Sequence, residues 1–155
     1  MKRKVLFPGT FDPFTLGHLS IVERALQNFD EVVIAIGNNM LKNAYFSVDK
    51  RIAIAKKVFE NEPRVSVMSY NCLTADFAKE IGADIILRGI RTVADFEYER
   101  TIADANRYLT GIDTVLLFTE TQYSFISSSV VREMLIYGKD VSRYVPENID
   151  LTEYL

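Results

Sequence analysis

Residues 4–37 read K-V-L-F-P-G-T-F-D-P-F-T-L-G-H-L-S-I-V-E-R-A-L-Q-N-F-D-E-V-V-I-A-I-G, and the reading of this stretch decides the fold. The runs at 4–7 and 31–37 are short, apolar and mostly β-branched, as strands buried on both faces require. Between them, residues 16–29 set Leu19, Val22, Ala25, Leu26 and Phe29 at spacings of three and four, which gathers them on one helix face.

The alternation continues outward from this unit. Further strand-like runs occupy 64–69, 84–87 and 114–118. Ser47 caps a helical pattern running to about Glu60, and a second, over 73–81, stops at Gly82. Thr92 opens the longest helix, to about Leu109, with Tyr98, Ile102, Ala105 and Leu109 as its core stripe. Residues 127–137 form the last helix, ending at Gly138. Strands alternating with helices predict an α/β fold: a doubly wound, Rossmann-like, five-stranded parallel sheet with right-handed crossovers and helices on both faces. No repeat, low-complexity tract or linker divides the chain. One domain is expected over residues 1–155, with a C-terminal helical tail from about residue 139 to which no role is assigned.

Composition narrows the function classes. The 155 residues are 48% apolar and 25% charged, as in one compact globular domain. Lys and Arg number 18 against 21 Asp and Glu, so no overall basic field exists to collect nucleic acid, and an anionic ligand must meet a local cluster of cations. One Cys and one His exclude an internal disulfide and a Cys/His zinc cage. No apolar run approaches the ~18 residues of a membrane span, and Pro8 interrupts the first one too early for a signal peptide. A cytoplasmic protein with neither nucleic-acid nor membrane partners is expected.

In a sheet of this kind the ligand lies beyond the carboxyl ends of the strands, near the switch point between its halves. The segments after the predicted strands are therefore the ones to inspect. The first lacks G-x-G-x-x-G, so the dinucleotide fingerprint is absent. Instead Thr15-Leu16-Gly17-His18 opens the first helix. Thr15 suits the N-cap, Gly17 permits close approach, and His18 sits in the first turn, where the helix dipole favours an anion. A bound phosphate there would hold the imidazole protonated. Ser127-Ser128-Ser129 opens the last helix with three hydroxyls where one suffices for capping, after Tyr123 and Phe125, which suit the flanks of a base. Arg88 ends a buried strand and requires an anionic partner, either a ligand or a nearby carboxylate. Glu99 and Asn106, seven residues apart, share a face of the long helix with Ile102 and Ala103 between them.

The T-x-G-H of 15–18 and the I-S-S-S-x-x-R of 126–132 together resemble the paired signatures of the nucleotidyltransferase superfamily, usually H-x-G-H and I-S-S-T-x-x-R. The stretches P-G-T-F-D-P-F-T-L-G-H (8–18), R-G-I-R-T-V-A-D-F-E-Y-E (88–99) and Y-S-F-I-S-S-S (123–129) narrow the resemblance to the bacterial-type pantetheine-phosphate adenylyltransferases, over nearly the whole chain to 145–148. The resemblance implies transfer of AMP from ATP to 4'-phosphopantetheine, giving dephospho-CoA and pyrophosphate in coenzyme A biosynthesis. It implies Thr10 and Phe11 at the junction of the substrates and His18 as the catalytic residue at the α-phosphate. It also implies Thr10, Lys42, Thr74 and Arg88 on 4'-phosphopantetheine. For the nucleotide it implies Gly89, Ile90, Arg91, Glu99, Tyr123, Ser124, Phe125, Ile126, Ser127, Ser128 and Ser129. Mg2+ is expected to arrive with ATP, since no clustered Asp motif provides a protein cage. A homohexamer and feedback by coenzyme A are further implications.

Thr15 replaces the first His of the superfamily motif, as is usual in the family, and the sequence departs from the family pattern where Asn39-Met40-Leu41-Lys42 is bulky and apolar and where Asp49-Lys50-Arg51 replaces a commoner Glu-Glu-Arg. The proposed nucleophile is already an anion near neutral pH, which agrees with the lack of a Ser/His/Asp or Cys/His arrangement. Two alternatives stay open at this stage. One is a related transferase acting on nicotinamide mononucleotide or a phosphoalcohol, and the other is a nucleotide-binding sensor without turnover.

Overall fold

The computed structural model describes residues 1–39 and 43–155. Five strands, β1 (Lys4–Gly9), β2 (Glu31–Gly37), β3 (Val65–Tyr70), β4 (Ile85–Ile90) and β5 (Asp113–Phe118), alternate with helices α1 (Leu16–Ala25), α2 (Val48–Val58), α3 (Thr74–Glu80), α4 (Val93–Thr110) and α5 (Ser128–Ile136). All neighbouring strands pair in parallel, in the order β3-β2-β1-β4-β5. Chain order reverses between β1 and β4, which is the switch point the ligand rule points to.

Side chains alternate across the pleat, so β1 sends Val5 and Phe7 to one face and Leu6 to the other. The first face meets Val22 of α1, Ile54 of α2 and Val131 of α5 in the larger core. Val141, Val145, Ile149 and Leu151 join that core, so the segment after α5 is structural. It contains one 3-10 turn, Leu151–Tyr154, and no α-helix. The second face packs Leu6, Val33 and Ile86 against Phe77 and Ala78 of α3. Helices cover both faces of the parallel sheet.

Three expectations are corrected. Only β1, β2 and the first half of β4 are buried on both faces. The edge strands β3 and β5 are half-covered, and Met68 stands exposed on β3. The strand predicted over 84–87 extends to Ile90, because Arg88, Gly89 and Ile90 keep pairing with Leu116, Leu117 and Phe118. Those residues therefore belong to the strand rather than to the loop after it. The apolar stripe of α4 is not core: Tyr98, Ile102 and Leu109 are exposed, and Glu99 is the buried residue of the helix. Helical period tells which residues share a face, and the coverage of that face depends on what packs against it.

One break in register creates the site. β1 pairs with β2 along its whole length, to Gly9 beside Ile36. With β4 it pairs only at Val5–Ile85 and Leu6–Ile86, so the two strands part beyond these residues. A crevice opens between them at the carboxyl end of the sheet.

Candidate active site

Two clefts meet in that crevice and share Pro8, Gly9, Thr10 and Arg88 as wall residues. The cleft on the α1 and α5 side has a volume of about 440 Å3. Its wall includes Phe11, Gly17, His18, Gly89, Arg91, Ile126 and Ser127 to Ser129. The cleft on the β2, β3 and α4 side has about 640 Å3, with Asn38, Tyr70, Cys72, Thr74, Glu99, Ile102, Ala103 and Asn106 among its wall residues. Thr10 is thus the divider between two chambers.

His18 is held by a reciprocal cap. Thr15 is the N-cap of α1, and its side chain accepts from the His18 backbone N–H while the Thr15 N–H donates to His18 Nδ1 at 3.0 Å. A backbone N–H cannot accept, so Nδ1 must be the bare nitrogen and the ring proton resides on Nε2. Phe11 and Phe14 pack on the ring, with centroids at 4.9 and 5.2 Å. Burial among them, and then the positive charges of Arg88 and Arg91, push the imidazole pKa down from 6.5 to about 3. In the ligand-free protein His18 is therefore a neutral Nε2–H donor. An imidazolium was expected only with phosphate bound, and no such charge is needed for the ring to hydrogen-bond a phosphoryl oxygen.

Arg88 reaches across the gap between the strands. Its Nε and Nη2 donate to the Glu99 carboxylate at 3.0 and 2.8 Å, and its Nη1 donates to the Pro8 carbonyl. The carboxylate partner anticipated for this guanidinium exists, and it is itself a residue assigned to the nucleotide. Glu99 is buried and lies in the wall of the larger cleft, away from His18. Arg91 is exposed beyond the strand, with Nη1 donating to Ile126 O at 3.4 Å.

The three serines hold the site together. Ser127 caps α5 by accepting from Val130 N, Ser128 donates to Pro13 O at 2.8 Å, and Ser129 accepts from Arg132 Nη2 at 3.1 Å. Arg132 Nη1 donates in turn to Asp12 O at 2.8 Å. The second motif is therefore clamped onto the loop of the first, and the first turns of α1 and α5 face one chamber, where their dipoles favour an anion.

Among the other residues assigned from the sequence, Thr10, Thr74 and Arg88 share the larger cleft, and Thr74 Oγ1 lies 2.8 Å from Tyr70 Oη. The Phe11 side chain is in the core. Its backbone is left-handed, with φ of 49°, and the residue borders the smaller cleft. Ile90 is buried in β4, and neither it nor Tyr123, Ser124 or Phe125 is in the cleft walls. Phe125 is exposed, edge-on to Tyr144. Lys42 lies outside the described residues. No group of three or more His, Cys, Asp or Glu able to hold a metal ion occurs among the described residues.

Sequence reasoning missed Asp12 and Arg51. Asp12 is buried and accepts from the backbone N–H groups of Tyr45 and Phe46 at 2.7 and 2.8 Å. Arg51 is buried and donates to the carbonyls of Phe46, Thr10 and Gly37. The available signal was position: Arg51 stands on the apolar face of α2 with Ile54 and Ala55, where a charge requires partners.

Residues 6–134 match the cytidylyltransferase-like family. The phosphopantetheine adenylyltransferase of Bacteroides thetaiotaomicron is 56% identical over 149 residues, covering 96% of this chain and 99% of the relative. That of Flavobacterium johnsoniae is 49% identical over 147 residues, with 95% and 97% covered. In the fold comparison, a bifunctional NMN adenylyltransferase/ADP ribose pyrophosphatase from Francisella tularensis superposes with a TM-score of 0.72 at 18% identity. That match covers 97% of this chain and 47% of the other, and at this identity it speaks for the fold alone.

Proposed function

The chain belongs to the phosphopantetheine adenylyltransferases, within the cytidylyltransferase-like family, and from that membership we propose that it transfers AMP from ATP to 4'-phosphopantetheine, releasing pyrophosphate and dephospho-CoA. The observation that carries the reading is the pair of clefts meeting at Thr10 and Arg88. ATP occupies the chamber of His18, Arg91 and the α5 N-terminus, and 4'-phosphopantetheine occupies the chamber of Thr74 and Glu99. An oxygen of the acceptor phosphate attacks the α-phosphorus at the junction. A P–O bond forms there as the bond to the bridging oxygen breaks and pyrophosphate departs. The acceptor is an anion already, so the chain supplies position and charge rather than a general base.

His18 donates its Nε2–H to a non-bridging α-phosphate oxygen, where charge grows. Arg88 is held flat by Glu99 and Pro8 O, and steadies the acceptor phosphate across the divide. Glu99 serves through Arg88. The first turn of α5 and Arg91 receive the rest of the triphosphate, and Ile126, which lines that cleft, borders the nucleotide, the segment from Tyr123 to Phe125 leading into it from outside the wall. Arg88, Arg91 and the first turns of α1 and α5 suit phosphate oxygens, and among the described residues no group of three or more His, Cys, Asp or Glu could cage a metal ion, so Mg2+ is taken to enter as part of the ATP substrate.

The proposed assembly is a homohexamer. Supporting it, α4 leaves Val93, Phe96 and Tyr108 exposed on one side of the helix, apolar surface that a second copy would cover. A single-chain mass in sedimentation would overturn it. Coenzyme A, which contains both halves of the product, is the proposed feedback ligand and should compete with both substrates. No described helix is long and apolar enough to cross a membrane, and the unpaired Cys72 suits the proposed cytoplasmic setting.

The test is pyrophosphate release from ATP and 4'-phosphopantetheine, with nicotinamide mononucleotide as an alternative acceptor. The intact protein should turn over only with the first. His18→Ala should lower kcat at least ~100-fold with little change in ATP affinity. Absence of turnover by the intact protein would refute the assignment.

A further inference from the structure

We propose that Arg51, with Asp12, is a positioning residue that fixes Thr10 between the two substrates, an inference resting on the two-chamber reading above. Arg51 is only 4% exposed, yet among the described residues no carboxylate bonds its guanidinium. Its Nη1 donates to Thr10 O at 2.9 Å and to Gly37 O at 3.0 Å, and its Nε donates to Phe46 O at 3.0 Å. Burial pulls the pKa of Arg51 down, and the negative charge of Asp12 opposes that pull. A charge taken out of water is costly, and among the described residues its hydrogen bonds go to backbone carbonyls.

The three carbonyls show what it secures. Thr10 follows β1 and divides the clefts, Gly37 ends β2 and lines the larger cleft, and Phe46 begins the approach to α2. Asp12 binds the same approach from the other side, through the N–H groups of Tyr45 and Phe46. The loop carrying Thr10 is held from α5 as well, by Arg132 on Asp12 O and Ser128 on Pro13 O. Thr10 is therefore braced from both sides of the crevice, with Arg51 the brace on the larger chamber. In-line transfer between two bound anions depends on this spacing, and a misplacement of about 1 Å can cost about 100-fold in rate.

The test compares Arg51→Lys, which keeps the charge but loses the planar fork, with Asp12→Asn, which keeps one acceptor oxygen. Steady-state kinetics and amide hydrogen exchange are measured on the same samples. The expected result for folded Arg51→Lys is a fall in kcat of about 10-fold or more. Its KM for 4'-phosphopantetheine should rise, its KM for ATP should stay within about twofold, and exchange should be faster at Thr10, Tyr45 and Phe46. Asp12→Asn should show the same pattern, more weakly. Kinetic constants within about twofold of the parent, or unchanged exchange at those amides, would overturn the proposal. So would failure of both variants to fold, which would make Arg51 a structural residue. Should the unsubstituted protein itself show no turnover, the assigned reaction falls and the exchange data alone decide the role of Arg51.

Discussion

Titration of the single histidine offers a direct test of how the site is built. His18 has a pKa of about 3 in the folded chain against 6.5 for a free imidazole. Between those values the unfolded chain binds a proton that the folded chain refuses, so stability falls as pH drops from 7 toward 5. Full expression of the shift makes this loss about 2 kcal/mol at pH 5. Because the ring keeps partial access to the cleft, about 1–2 kcal/mol is expected. The control is His18→Gln, since glutamine at this third helical position can still accept the Thr15 N–H in a capping box but does not titrate. Urea unfolding at pH 7, 6 and 5 should show the parent protein losing that increment relative to the variant. The carboxylates titrate in both proteins and cancel. Imidazole NMR, unambiguous with one histidine in the chain, should find the Nε2–H tautomer at pH 6. Parallel pH dependence of parent and variant, or a folded-state imidazole titrating near 6.5, would refute the burial argument.

Two further outcomes follow from particular contacts. Glu99→Gln removes the negative charge from the bidentate partner of Arg88. Given that Arg88 keeps about a third of its side chain exposed, the change should destabilise by about 1–2 kcal/mol in urea melts and lower kcat/KM about 10-fold. Gly111 ends α4 at φ of 76°, so Gly111→Ala should cost roughly 1 kcal/mol in thermal unfolding while leaving turnover per folded molecule unchanged.

Much of the architecture was legible because it is written in local patterns. Residues 31–37 can be little other than a buried strand, and Thr15, Ser47, Thr92 and Ser127 are all observed as N-caps. The switch-point rule then points to the end of the sheet where β1 and β4 part and the two clefts open. What escaped was long-range. Nothing local to Arg88 says that its strand runs on to Ile90, or that Glu99, 11 residues on, returns beneath it. Arg51 reaches Thr10 across 41 residues, a contact visible only once β1, β2 and α2 are packed. The stripe on α4 misled because an apolar face has the same period whether it meets its own core or another surface. The serine triplet suggested a phosphate cradle, and much of its hydrogen bonding proves to be internal: a cap, a clamp on Pro13 and a contact to Arg132.

The parting of β1 from β4 beyond Leu6 and Ile86 leaves Pro8 paired with Ala35 of β2 but with no backbone partner on β4, and the Arg88 side chain reaches its carbonyl instead. The guanidinium proposed to meet an anion thus also ties β4 to β1, and its conformation is settled when the protein folds. Fixing a long side chain at a binding site commonly opposes association by about 0.5–1.5 kcal/mol, and here that penalty is absent from the binding step. Anion capture at Arg88 should accordingly carry little entropic resistance from the receptor, and mutations that loosen this corner of the sheet should surface first as slower, weaker capture rather than as unfolding.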